Sequence, residues 1–87
     1  MWVQQRNYRA VGAILADERE KAKLSQKLLA KMLSKPQSFI SHYENGHRRI
    51  DLLEFIRITE VIGTDPAEVF NAVLRKCQKV KSRSAKK

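Results

Sequence analysis

Gln37, Ser38, Ser41 and His42 lie within six positions, and each can donate or accept a hydrogen bond without being a carboxylate. If Ile40 and Tyr43, three apart, face a core, these four side chains point largely outward. Such a row suits the edges of base pairs, whose donors and acceptors differ from pair to pair in a duplex major groove. Gln37 is the best single reader, because its amide can pair bidentately with adenine; Ser41 and His42 are less selective. Lys27, Lys35, Arg48 and Arg49 stand on either side and can neutralise phosphates. Gln26 falls at a helix start, where free backbone N–H groups and the positive dipole end favour a phosphate. Other chemistries find less support. The sequence offers no paired carboxylates, nucleophile–base set or Gly-rich phosphate loop, so an enzyme is a remote reading. Neither His42 nor His47 has a metal partner at ligand spacing, so zinc is not expected and no cofactor is implied.

The bulk composition points the same way. The 87 residues allow one small domain, and they carry 18 Lys and Arg against 9 Asp and Glu, a net charge of +9. So basic a chain implies a polyanionic partner, either nucleic acid or an acidic membrane surface. The basic C-terminal residues have almost no apolar face, which disfavours the membrane. No apolar run approaches the roughly 20 residues needed to span a bilayer. The first residues lack the apolar stretch of a secretory signal. The single Cys fits a reducing compartment, and a cytoplasmic location is expected. From Arg75 onward there are seven bases and no acid, which reads as a solvated, disordered tail over 78–87. A second acid-free stretch, Lys21 to Tyr43, lies inside the periodic part and should form a fixed basic patch.

Five short helices must position these residues, and the expected class is all-α, with the domain over 1–77. The first helix, about 8–22, carries a stripe of Val11, Ile14, Leu15 and Ala22. Ser25 caps a second, about 26–33, with Leu29, Ala30 and Leu33 inward. Pro36 suits the first turn of a third, about 36–45, and Asn45-Gly46 stops it. Asp51 with Glu54 is an Asp form of the capping box and opens a fourth, about 52–62, with Leu52, Phe55, Ile56, Ile58 and Ile62 as its apolar members. Asp65-Pro66-Ala67-Glu68 starts a fifth, about 66–77. Helices two and three, joined by the tight connection Leu33-Ser34-Lys35, form a helix-turn-helix candidate.

The stretch Leu24-Ser25-Gln26-Lys27-Leu28-Leu29-Ala30, then Lys35-Pro36-Gln37-Ser38-Phe39-Ile40-Ser41, then Tyr43-Glu44-Asn45-Gly46-His47-Arg48-Arg49, resembles the phage Cro-and-repressor (XRE-like) type of helix-turn-helix domain. The resemblance runs from about Tyr8 to Phe70. It implies a five-helix, lambda-repressor-like DNA-binding fold, bacterial or phage-encoded, usually dimeric on a near-palindromic operator. By position it implies that Gln26 clamps a phosphate, that Gln37, Ser38 and His42 approach bases, that Asn45 meets the DNA backbone, and that Arg19 pairs with Glu44. Leu28 and Met32 depart from the family, which is usually polar at both positions, and Ile50 stands where Pro is common.

Each residue has a plainer reading as well. Lysine-rich faces are often only solvated, and His42 and His47 could be surface histidines, with His47 at most a phosphate contact. Cys77 is expected to be a small apolar residue, and Phe39 and Tyr43 to be core rather than stacking platforms. Val69, Phe70, Val73, Leu74 and Cys77 give helix five a stripe wider than one small core needs, so a homodimer through that helix is expected. The leading function is a sequence-specific double-stranded DNA-binding transcriptional regulator, expected to be a repressor. The alternative is an antitoxin or restriction-control protein of the same fold, which would use Leu28 and Met32, four apart, against a protein partner.

Overall fold

The computed structural model describes the backbone of residues 5–78 and the side chains of residues 7–77. Trp2 and the basic tail beyond Gln78 lie outside the described residues. Five helices follow one another: α1 (Gln5–Lys21), α2 (Gln26–Leu33), α3 (Gln37–Glu44), α4 (Leu52–Ile62) and α5 (Pro66–Gln78). No strand occurs among the described residues, so the fold is all-α.

The helix starts follow local chemistry. The Ser25 hydroxyl accepts from the Leu28 N–H at 3.0 Å and caps α2. Asp51 accepts from the Glu54 N–H at 2.7 Å, and the Glu54 carboxylate accepts from the Asp51 N–H at 3.0 Å, a complete capping box for α4. Pro36 stands one place earlier than expected. It is the extended residue before α3 rather than its first helical position, and Asn45 lies just past the other end.

Four helices end in one backbone device. A residue with positive φ turns the chain, and two N–H groups reach back five and three residues to carbonyls the helix would leave unpaired. Lys23 does this for α1, Ser34 for α2, Gly46 for α3 and Gly63 for α4. The first turn excludes Ala22, which is exposed after α1 and does not join the core stripe expected of it.

The core gathers Leu15, Leu29, Ile40, Tyr43, Ile58 and Val69, all almost fully buried. Burying each such side chain favours folding by about 1.5–3 kcal/mol. α1 packs on α3 and α5, α2 on α3 and α4, and α4 on α5. The closest backbone approach is at Gly12, where a β-carbon would overlap the Tyr43 carbonyl oxygen and come within 2.9 Å of the Glu44 Cα. Only glycine lets α1 lie this near the end of α3. Two expectations for apolar residues need correction. Leu52 does not face inward: it sits in the first turn of α4 and is exposed. Val69 and Val73 are buried in the chain's own core, so neither is available to a dimer partner; of the five residues expected there, Phe70 and Leu74 are exposed and Cys77 is half-buried.

Candidate nucleic-acid interface

The site is built outward from an ion pair. Arg19, in the last turn of α1, donates from Nε to Glu44 Oε2 at 2.7 Å and from Nη2 to Glu44 Oε1 at 3.1 Å. Its Nη1 donates to the Leu24 carbonyl at 2.7 Å, which fixes the connection into α2. Both side chains are nearly buried, 11% and 5% exposed. The hydrogen bond to Glu44 raises the Arg19 pKa against the opposing effect of burial, so the guanidinium stays charged.

Glu44 passes this fixity to α2 and then to α3. Gln26 Nε2, in the first turn of α2, donates to Glu44 Oε1 at 2.9 Å. Gln26 Oε1 in turn accepts from Gln37 Nε2, in the first turn of α3, at 3.3 Å. The chain Arg19–Glu44–Gln26–Gln37 therefore runs from a buried charge to an exposed amide. Gln37 keeps its own oxygen and one N–H for a ligand, the donor–acceptor pair that an adenine edge complements. Gln26, expected to clamp a phosphate, is half-buried, and its amide holds Gln37 against Glu44.

Gln37, Ser38 and His42 are exposed along one side of α3. Ser41 is half-buried, and its hydroxyl donates to the Ser38 carbonyl at 3.4 Å. Ile40 and Tyr43 lie opposite in the core, and Phe39 packs edge-on to Tyr43 with ring centroids 5.4 Å apart. Burial pushes the Tyr43 phenol pKa up, and its hydroxyl has no hydrogen-bond partner among the described residues. His42 and His47 stand edge to face with centroids 6.5 Å apart.

Of the expected phosphate contacts, Lys27, Lys35, Asn45, His47 and Arg49 are exposed. The Lys35 ammonium lies 5.4 Å from the Phe39 ring centre, and the Arg49 guanidinium 5.3 Å from that of Tyr8. Arg48 is exposed as well and is paired within the chain. It donates from Nη1 and Nη2 to the two Glu54 oxygens, both at 3.0 Å, and sits 4.7 Å from the Phe39 ring centre. This pair ties the loop after α3 to α4. The hydrogen bond from Arg48 holds the Glu54 pKa below the usual carboxylate range, opposed by burial and helped by the Asp51 N–H. Leu28 and Met32 are exposed on α2. Among the described residues, no group of three His, Cys, Asp or Glu could hold a metal ion, and no helix is long and apolar enough to cross a membrane.

Two short helices at a tight turn, with one carrying an outward polar row, are the features by which known proteins can be compared. The family model described as Helix-turn-helix matches residues 15–69. A solved structure, "XRE-family like protein from Pseudomonas syringae pv. tomato str. DC3000", is similar with a TM-score of 0.73 and 38% identity, over 82% of this chain and 87% of that one. The chain belongs to the XRE helix-turn-helix family. Comparison with curated proteins finds no significant match. As an XRE-type chain the protein is a DNA-binding regulator in kind. The matched span begins and ends on core residues, Leu15 and Val69, and it contains the whole relay from Arg19 to Gln37.

Three features escaped the reading of the sequence alone. Gly12 gave a signal, a glycine inside a helical pattern, which costs stability unless a close approach requires it. Glu54 gave a signal too, but for capping only. The aromatic support under Arg48 and Arg49 joins residues distant in the chain and gave none.

Proposed function

We propose that this XRE-type protein is a sequence-specific repressor that reads the major groove of double-stranded DNA with α3. The observation that carries this is the Arg19–Glu44–Gln26–Gln37 relay, which holds one exposed amide in place from a buried ion pair. A reading side chain that is already ordered loses less entropy on binding. Ser38, Ser41 and His42 flank Gln37 along the groove. Lys27, Lys35, Asn45, His47 and Arg49 contact phosphates on either side and position the helix without reading sequence. Occupying an operator is enough to block transcription. The protein works as a homodimer in the bacterial cytoplasm, with Phe70 and Leu74 of α5 covered by a second copy and Cys77 at the edge.

Leu28 and Met32, four apart on α2 and both over 40% exposed, favour a second reading. In it, an antitoxin or restriction-control protein binds DNA and a protein partner together.

Fluorescence anisotropy on random-sequence duplexes between 50 and 200 mM salt, with sedimentation alongside, tests the leading proposal. Each phosphate neutralised should add about one to the log–log salt slope, and the duplex should carry a dimer. A salt-independent signal, or a monomer at high micromolar concentration that stays monomeric on DNA, would sink it.

A further inference from the structure

An open groove of about 220 Å3 lies between the end of α2, the inner side of α3 and one face of α4. None of Gln37, Ser38, Ser41 or His42 lines it, so it is distinct from the reading row. Its walls are Leu33, Phe39, Leu53 and Ile58. Leu53 is 76% exposed, a large aliphatic side chain in the first turn of α4 that contributes little to the core. The remaining lining is Lys35, Glu54 and Arg57. The Glu54 charge is already matched by the two bonds from Arg48. Lys35 and Arg57 form no ion pair among the described residues.

An apolar slot with two unmatched cations at its rim complements an amphiphile with an anionic head. If each methylene takes roughly the 30 Å3 of a liquid water, about seven or eight carbons fill the space. We propose that this groove binds a medium-chain monocarboxylate. Its alkyl chain lies against Leu33, Phe39, Leu53 and Ile58, and its carboxylate accepts from Lys35 and Arg57. Lys35 then belongs to two surfaces. In the proposed function it neutralises a DNA phosphate, so an occupied groove withdraws that cation from DNA. The coupling rests on the proposed function, whereas the site itself does not.

The test is an amide-resolved NMR titration of the full chain, without DNA, using butanoate, hexanoate, octanoate and octanol. Octanoate should shift the amides of Leu33, Lys35, Leu53 and Arg57 saturably. Affinity should rise about fourfold per methylene from butanoate to octanoate. Octanol should bind more weakly than octanoate. Arg57→Gln should cost about tenfold for octanoate, and Leu53→Asp should abolish binding; both side chains are exposed, so both variants should fold. Octanol matching octanoate, shifts spread equally over Phe70 and Leu74, or no saturation would overturn the site. In a second experiment, saturating octanoate should weaken duplex binding by wild type severalfold. Undiminished duplex binding would overturn the coupling. A chain that binds no duplex at all would contradict the proposed function, and the octanoate titration would still decide the site.

Discussion

The Glu44 carboxylate accepts two hydrogen bonds from Arg19 and one from Gln26, and so stands between the core and the residue that reads. Arg19 and Glu44 are 25 residues apart, and neither periodicity nor composition connects them. Only the resemblance to a known family suggested that they meet. Gln26 was recognisable as a helix-start residue, but a phosphate was the expected partner. Its protein partners depend on how α1, α2 and α3 cross, which Gly12 permits. Removing Glu44's charge should leave the Arg19 guanidinium nearly buried with a carbonyl and, at 3.6 Å, the exposed Glu20 carboxylate. Stranding one member of a buried pair costs about 3–5 kcal/mol, and the Glu20 contact places Glu44→Gln near the lower figure. Chemical denaturation of the variant should show that loss with an unchanged denaturant slope. A wild-type midpoint would mean the pair does not hold the helices.

The ends of the elements were legible where glycine marks them and obscure where it does not. Gly46 and Gly63 take positive φ at little cost and announce the ends of α3 and α4. Lys23 and Ser34 adopt the same conformation with side chains that disfavour it, at φ of 63° and 59°. That is why Ala22 looked like a member of the α1 stripe. Ser34 turns the helix-turn-helix itself, so Ser34→Gly should raise stability by about 0.5–1 kcal/mol without moving Lys35 or Gln37. A lower melting temperature would show that the serine side chain supports the turn. The link from the α3–α4 loop to α4 is electrostatic, and its dependence on pH has a definite sign. The folded state holds the Glu54 pKa below its ordinary value, so this contribution is present above the unfolded pKa, about 4.3, and is lost as pH falls through the folded one. The pair is partly exposed, and solvent screening should hold its contribution to at most about 1 kcal/mol. The melting temperature of wild type should exceed that of Glu54→Gln at neutral pH and converge with it as pH falls through the lowered Glu54 pKa. A gap that stays constant into acid would assign the stability to the capping bonds of Glu54 instead.

At the scale of the molecule, the five-helix class and the outward polar row could be read from the chain because both follow from helical periodicity. How the wide stripe of α5 divides could not, because Val69, Phe70, Val73 and Leu74 all look alike until the other helices are placed. The fold puts Val69 and Val73 inside and leaves Phe70 and Leu74 out. The net charge of +9 supplies affinity for any nucleic acid, so affinity alone cannot show that α3 reads sequence. Selection of bound duplexes from a randomised library, by wild type and by Gln37→Ala, separates charge from recognition. Wild type should enrich two half-sites about 10 bp apart, or a multiple of it. Gln37→Ala should enrich the same motif with one base pair per half-site relaxed, a loss of about 1–3 kcal/mol there, at an unchanged salt slope. An identical motif from both proteins, or no enrichment by wild type, would contradict α3 as the reading element.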